Sequence, residues 1–183
     1  MKIYGKFVAL KSISLNDSFF IYKLRQNKII SLYLHEPPTS ITDQKEWIKK
    51  NIKNNKTDDF VIINKKKNKK IGTIALDNIT SNDAEWGRWL SKGSSIENIE
   101  AIILLLNYGF KKKKLKKIYS LTNIANKKVI SFHRNTPAIN DGIIKYYFSI
   151  KNKNIDAVKY SFNIKNFLKF ENSFKTMTRL IQL

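Results

Sequence analysis

Two periods of hydrophobicity run along this chain, and the places where one gives way to the other mark out its elements. Residues 2–13 carry Ile3, Phe7, Ala9 and Ile13 in partial alternation, which predicts a first strand. Ser14-Leu15-Asn16-Asp17 then offers side-chain oxygens to cap a helix running to about Asn27, with Phe19, Phe20, Tyr22 and Leu24 available for its buried face. His35-Glu36-Pro37-Pro38 ends any helix, because the prolines lack a donor and hold the preceding residue extended. Ser40 or Thr42 can cap a second helix through about Asn54, with Trp47, Ile48 and Ile52 at roughly helical spacing.

Phe60-Val61-Ile62-Ile63 and Ile71-Gly72-Thr73-Ile74-Ala75-Leu76 flank a lysine-rich turn and predict a hairpin. Ala84–Leu90 predicts a further strand, and Ile96–Phe110, apolar almost all round, a helix buried against the sheet. A short strand at Ile118–Thr122, a short helix at Asn126–Asn135, and a closing pair of strands at Ile143–Ile150 and Ala157–Ile164 follow. Phe167–Leu183 reads as a final helix or a packed tail. Strand, two helices, three strands, helix, strand, helix, two strands is an α/β order, with a mixed central sheet of about seven strands flanked by helices. The middle strands are joined by turns too short for parallel crossovers. No internal repeat or linker divides residues 1–183, so one domain is expected, with 165–183 as a C-terminal extension packed on it.

With 42% hydrophobic and 12% aromatic residues, a chain of 183 residues can build one sizeable core. The absence of cysteine excludes disulfides and thiolate metal sites. His35 and His133 are too few for a histidine metal cluster, and no metal is expected. The densest apolar run, Ala101–Leu106, is closed by Asn107 and falls far short of the roughly 20 residues that cross a bilayer. Met1–Lys6 lacks the charged-then-apolar pattern of a secretory leader, and a cytoplasmic location without membrane insertion is the expectation.

The net charge of +21 would suit a polyanion partner. Its source argues otherwise, since thirty-one lysines stand against four arginines, Arg25, Arg88, Arg134 and Arg179. Base and phosphate readers exploit the bidentate guanidinium, which is scarce here. The lysines gather in turns such as Lys65-Lys66-Lys67 and Lys111–Lys114, alongside abundant asparagine and isoleucine, as AT-rich coding would produce. A nonenzymatic basic module that binds nucleic acid is the competing class. It lacks a basic helix, an RNP aromatic motif or a zinc site. The basic surface otherwise favours anionic substrates and a polyphosphate-bearing cofactor.

Five segments, in order, carry a resemblance to a known family. Leu24-Arg25-Gln26-Asn27 is similar to an "LRN" helix ending, and Asp43-Gln44 before Trp47-Ile48 to "EEHxxWI". Ile71-Gly72 is similar to an "IG" strand signature, and Glu85-Trp86-Gly87-Arg88-Trp89-Leu90 to an "E-x-G" strand. Asn126-Lys127-Lys128-Val129-Ile130-Ser131-Phe132-His133 is similar to "N-x-x-A/S-I-x-L-Y", with His133 at the tyrosine position. Together they resemble the GNAT superfamily of N-acetyltransferases. Within it they resemble the branch that acetylates ribosomal-protein N-termini and nucleotide-linked amino sugars.

The resemblance implies acetyl-CoA as cosubstrate and a splay between the fourth and fifth strands that admits its pantetheine arm. Backbone groups of Trp89, Leu90 and Ser91 and the side chain of Asn126 would hold that arm. Lys92, Gly93, Ser94 and Ser95 would form the phosphate loop, which keeps one glycine where the family usually has two. Glu85 becomes the candidate general base, with a structural ion-paired carboxylate as the other reading. His133 becomes the candidate acid toward the thiolate, or a base with a pKa near neutrality, against an exposed helix-end residue. Substituting either, as His133→Ala or Glu85→Gln, is expected to cut turnover far more than folding. Arg25, His35 and Glu36 fall on the wall of the acceptor groove. Trp86 and Trp89 are expected in the core. A nucleotide-linked amino sugar of bacterial surface-glycan (O-antigen) synthesis is the preferred acceptor, and a protein or ribosomal-protein N-terminus the second; a homodimer is compatible.

Overall fold

Short turns between apolar runs leave successive strands nowhere to go but antiparallel, and most of the sheet follows from that. The computed structural model describes residues 1–34, 36–150 and 153–180. It contains the strands β1 (Lys2–Tyr4), β2 (Val8–Ser12), β3 (Asp58–Asn64), β4 (Lys69–Asp77), β5 (Asp83–Ser91), β6 (Lys117–Asn123), β7 (Ile139–Ile150) and β8 (Lys153–Asn163). They form one sheet in the order β1-β2-β3-β4-β5-β6-β8-β7. Only the β5–β6 neighbours are parallel, and α3 (Ser95–Asn107) makes their crossover.

The sheet has eight strands rather than seven because the first predicted strand folds back on itself at Gly5. The buried carboxylate of Glu100 on α3 accepts the N–H groups of Lys6, Phe7 and Val8, each at 2.7 Å, and holds this turn. A Cβ on residue 5 would sit 2.5 Å from that carboxyl carbon, so the turn requires glycine.

The helices α1 (Ser18–Arg25), α2 (Ile41–Ile52), α4 (Lys127–Arg134) and α5 (Ile164–Leu180) complete the layers. A short 3₁₀ turn, Leu15–Asp17, precedes α1, which stops at Arg25, before the predicted Asn27. Ser40 caps α2: its Oγ accepts the Asp43 N–H while the Asp43 carboxylate accepts the Ser40 N–H, both at 3.0 Å. The apolar face of α3 buries Ala101, Ile102, Leu105 and Leu106 completely beside Leu10, Phe60, Ile74 and Leu76 of the sheet. Phe167, Phe170 and Phe174 of α5 enter the same core.

Two features open the middle of this sheet. Pairing of β5 with β6 covers Asp83–Glu85 against Lys117–Tyr119 and then stops. Opposite β4, the register of β5 slips by one between Thr73 and Ala75, and Arg88 takes up the extra residue with φ +47°. Such a bulge bends its strand and sharpens its twist, carrying the rest of β5 away from β6. This is the splay expected between the fourth and fifth strands of the seven-strand count. The bulge draws β4 and β5 so close that a Cβ on Gly72 would lie 2.3 Å from the Leu90 carbonyl oxygen. The Ile71-Gly72 signature therefore serves strand packing.

Candidate functional site

A cavity of about 700 Å³ fills the splay, walled by α1, α2, strands β3 to β6, α4 and β7. Beyond Glu85 the β6-facing edge of β5 is an unpaired strand edge inside the fold. Its free N–H and C=O groups can pair with an extended amide chain as an added strand would.

Glu85 stands at the last paired position before the splay, opposite Tyr119 on β6 and Asp77 on β4. Its Oε2 accepts a 3.2 Å hydrogen bond from Asn78 Nδ2. Burial, with the nearby Asp77 charge, raises its carboxyl above the usual range, outweighing Asn78, Arg88 and Lys159. Arg88 does not pair with Glu85. From the bulge its Nε lies 3.2 Å from Asp59 Oδ1 and one terminal nitrogen 3.1 Å from Asp77 Oδ1. That nitrogen also donates to Thr57 Oγ1, and the guanidinium lies over the Trp47 ring. Burial raises Asp59 as well, against the pull of Arg88. Sequence reasoning missed Asp59, Asp77 and Asn78, because two neighbouring strands and a turn bring them beside Glu85. No sequence pattern signalled them, because the bulge at Arg88 breaks the strand alternation from which its direction would be read.

His133 is completely buried, not an exposed helix-end residue. Its ring stacks on Tyr160 at 4.5 Å, its Nε2 lies 3.0 Å from Ser120 Oγ, and its Nδ1 has no partner. It also lines the cavity. Burial pushes its pKa down to about 4, so the imidazole is neutral at pH 7 and the near-neutral value expected from sequence is corrected. Trp86 and Trp89 stand 6.0 Å apart, and Trp86 lies 5.5 Å from His133; both indoles pack in the core and line the cavity. Asn126 caps α4, with its Oδ1 accepting the Val129 N–H at 3.3 Å, and its side chain faces the cavity from there.

The cavity wall ends at Leu90, and Ser91, Lys92, Gly93, Ser94 and Ser95 lie beyond it. There the N–H groups are already engaged. Lys92 donates to the Ile71 carbonyl at 2.8 Å, Gly93 to Ser91 Oγ at 2.9 Å and Ser94 to Glu97 Oε2 at 2.7 Å. The Glu97 carboxylate also accepts from the Ser94 hydroxyl and from Asn64, so an anion of the chain's own caps α3. Among the described residues, the N–H groups of Ser95 and Ile96 are what this helix end leaves for a phosphate.

Arg25 and Glu36 both line the cavity, and one Arg25 terminal nitrogen donates to the Glu36 carbonyl at 3.0 Å. His35 lies outside the described residues. Among those residues no group of three or more histidine, aspartate or glutamate side chains is placed to hold a metal ion, and no helix is long and apolar enough to cross a membrane.

Residues 8–136 match the family model for an acetyltransferase (GNAT) domain. Among solved structures, a GCN5-related N-acetyltransferase from Brucella melitensis superposes with a TM-score of 0.84 at 17% identity, over 96% of this chain and 84% of that one. Spermidine N-acetyltransferase from Vibrio cholerae, in complex with CoA and spermine, gives 0.79 at 23% identity over 90% and 99%. Apo FdhC, a nucleotide-linked sugar GNAT, gives 0.78 at 22% identity over 96% and 97%. No curated protein sequence matches the chain.

Proposed function

The chain belongs to the GNAT acetyltransferase family and is an N-acetyltransferase using acetyl-CoA, and on that premise we propose that it acetylates a small-molecule primary amine by direct transfer in a ternary complex, with Glu85 receiving the amine proton. The observation that carries this reading is the placement of Glu85. It is a carboxylate of raised pKa at the point where β5 leaves β6, at the edge of the unpaired strand.

Acetyl-CoA supplies an activated acetyl thioester. The pantetheine half of such a molecule fits: Trp89 and Leu90 would offer backbone groups along the open edge, and Asn126, whose Oδ1 is used by the α4 cap, lines the same cavity and would offer its Nδ2. Those backbone donors are fixed in direction by the strand, so they can stabilise charge developing on the reacting carbonyl oxygen. Glu85 takes the amine proton, directly or through one water, and its raised pKa brings it nearer the operating pH. His133 acts as a neutral N–H donor toward the departing sulfur. This role requires the tautomer that carries its proton on Nδ1, in which Ser120 Oγ, 3.0 Å from Nε2, is the donor. The pyrophosphate half fits less well, because Glu97 and the internal bonds of residues 92–94 occupy the loop. Lys92, Ser95 and the first turn of α3 are the groups left to meet it.

The acceptor has two candidate classes. A nucleotide-linked amino sugar of surface-glycan synthesis is the class that the sequence resemblance prefers, and FdhC shares the fold. An aliphatic amine is the other, and the Vibrio cholerae spermidine enzyme shares the fold equally. Thermal melting with acetyl-CoA tests the donor half. At a hundred times Kd, binding adds about 2.7 kcal/mol of stability. An unchanged melting temperature at millimolar acetyl-CoA would remove the proposal. Release of CoA thiol upon addition of an amine panel tests the transfer.

A further inference from the structure

Charge is distributed unevenly between the surface and the cavity. Among the described residues no lysine lines the cavity, whereas five of the fourteen acidic residues do, namely Glu36, Asp43, Asp59, Asp77 and Glu85. The cations among its described lining residues are Arg25 and Arg88. Arg88 is shared between Asp59 and Asp77, and its charge does not bring either Asp59 or Glu85 back to an ordinary carboxylate pKa. Lys159, whose charge reaches Glu85, sits over the Tyr119 ring and is not part of the cavity lining. Tyr33, Trp47, Trp86 and Tyr147 line the same cavity, with the Arg88 guanidinium already over the Trp47 ring.

Resting on the acetyl-transfer reading above, we propose that the acceptor is an aliphatic diamine or polyamine, recognised by the surplus carboxylates and aromatic faces of the cavity. The amine that reacts is drawn to Glu85 and Asp77, and a further ammonium group lies against the remaining acids and aromatic walls. Carboxylates stabilise an ammonium by charge-assisted hydrogen bonds, and the aromatic faces by cation–π attraction. A diphosphate-linked sugar meets the opposite situation. Its two negative phosphates would enter a wall with three more carboxylates than guanidinium groups, and Arg88 is already held by two of those acids. The lysine excess lies elsewhere and does not describe the acceptor. In the transfer the neutral amine nitrogen forms the amide bond, the thioester C–S bond breaks with CoA leaving as the thiolate, and the proton lost by the nitrogen passes to Glu85 and from there through solvent to the thiolate.

Full-length protein that acetyl-CoA stabilises in a melt is supplied with acetyl-CoA and, separately, putrescine, spermidine, an equal-length monoamine, a UDP-linked amino sugar and an N-terminal peptide. Thiol release is expected with the diamine and polyamine at a kcat/KM at least about tenfold above the monoamine, the effect of one partly desolvated charge contact. Little release is expected with the sugar nucleotide. Asp77→Asn is expected to raise KM for spermidine several-fold and to narrow the diamine-to-monoamine ratio. Turnover of the sugar nucleotide or peptide in preference to the polyamines overturns the inference while leaving the acetyltransferase reading intact. Equal use of monoamine and diamine also overturns it. Failure of acetyl-CoA to stabilise the protein removes both. The wild-type panel decides the matter even where Asp77→Asn does not fold.

Discussion

Glu85→Gln separates a catalytic carboxylate from a structural one by giving activity and stability opposite signs. In the folded protein Glu85 is half-buried and faces Asp77, so it holds its proton to a higher pH than the unfolded chain does. Between the unfolded and the folded pKa, stability falls as pH rises, and the lost part stays lost at neutral pH. Glutamine carries no charge to desolvate and keeps an oxygen for Asn78 Nδ2, so the variant should melt at the same temperature or higher at pH 7.5. For a domain of this size each 1 kcal/mol relieved is worth about 2–4 °C. Activity should move the other way, because a positioned general base contributes about 10²–10⁴-fold, or roughly 3–5 kcal/mol of barrier. The assays are calorimetric or fluorescence melting of the full chain and thiol release at saturating acetyl-CoA. The wild-type kcat/KM should also rise with pH through a group above the ordinary carboxylate range, and that limb should vanish in the variant. A melting temperature lowered by several degrees with turnover within about threefold of wild type would refute the reasoning and make Glu85 a structural ion-pair residue.

Three further outcomes follow from buried and capping groups. His133, held near pKa 4 against about 6.5 when unfolded, contributes stability that is full above pH 6.5 and is lost as pH falls toward 4, by about 3 kcal/mol; denaturant titrations at pH 7.5 and 4.5 should show that difference shrink in His133→Gln. His133→Ala should itself cost about 2–4 kcal/mol, since it empties a site stacked on Tyr160 and beside Trp86, so a measurable loss of stability should accompany the loss of turnover. Glu97→Gln should tighten acetyl-CoA binding several-fold by calorimetry, by taking an anion away from the N-terminus of α3, while slightly lowering the melting temperature through a weakened cap. Unchanged or weaker binding would mean that phosphates do not approach this helix end.

Local pattern by itself determined the order of elements, the capping residues offered at the start of α2, the buried helix after β5 and the segments that resemble the family. Each depends on neighbours in the chain, where periodicity and capping chemistry act. It also put Glu85, Asn126 and His133 around one opening, by way of the resemblance. Only the tertiary structure decided what those residues are. Burial between Trp86, Phe132 and Tyr160 keeps the His133 imidazole neutral, and no local signal gives the dielectric around a helix-end histidine. A one-residue bulge at Arg88 turns that side chain toward Asp59 and Asp77 and leaves Glu85 short of cations, which strand alternation alone could not reveal. The split at Gly5 depends on Glu100, ninety-five positions away in sequence, whose carboxylate must be near before the turn is worth forming. Net charge is additive along a chain and can be read from it. Where that charge is missing is a property of the fold, and the acidic cavity of a strongly basic protein appears only when distant strands are brought together.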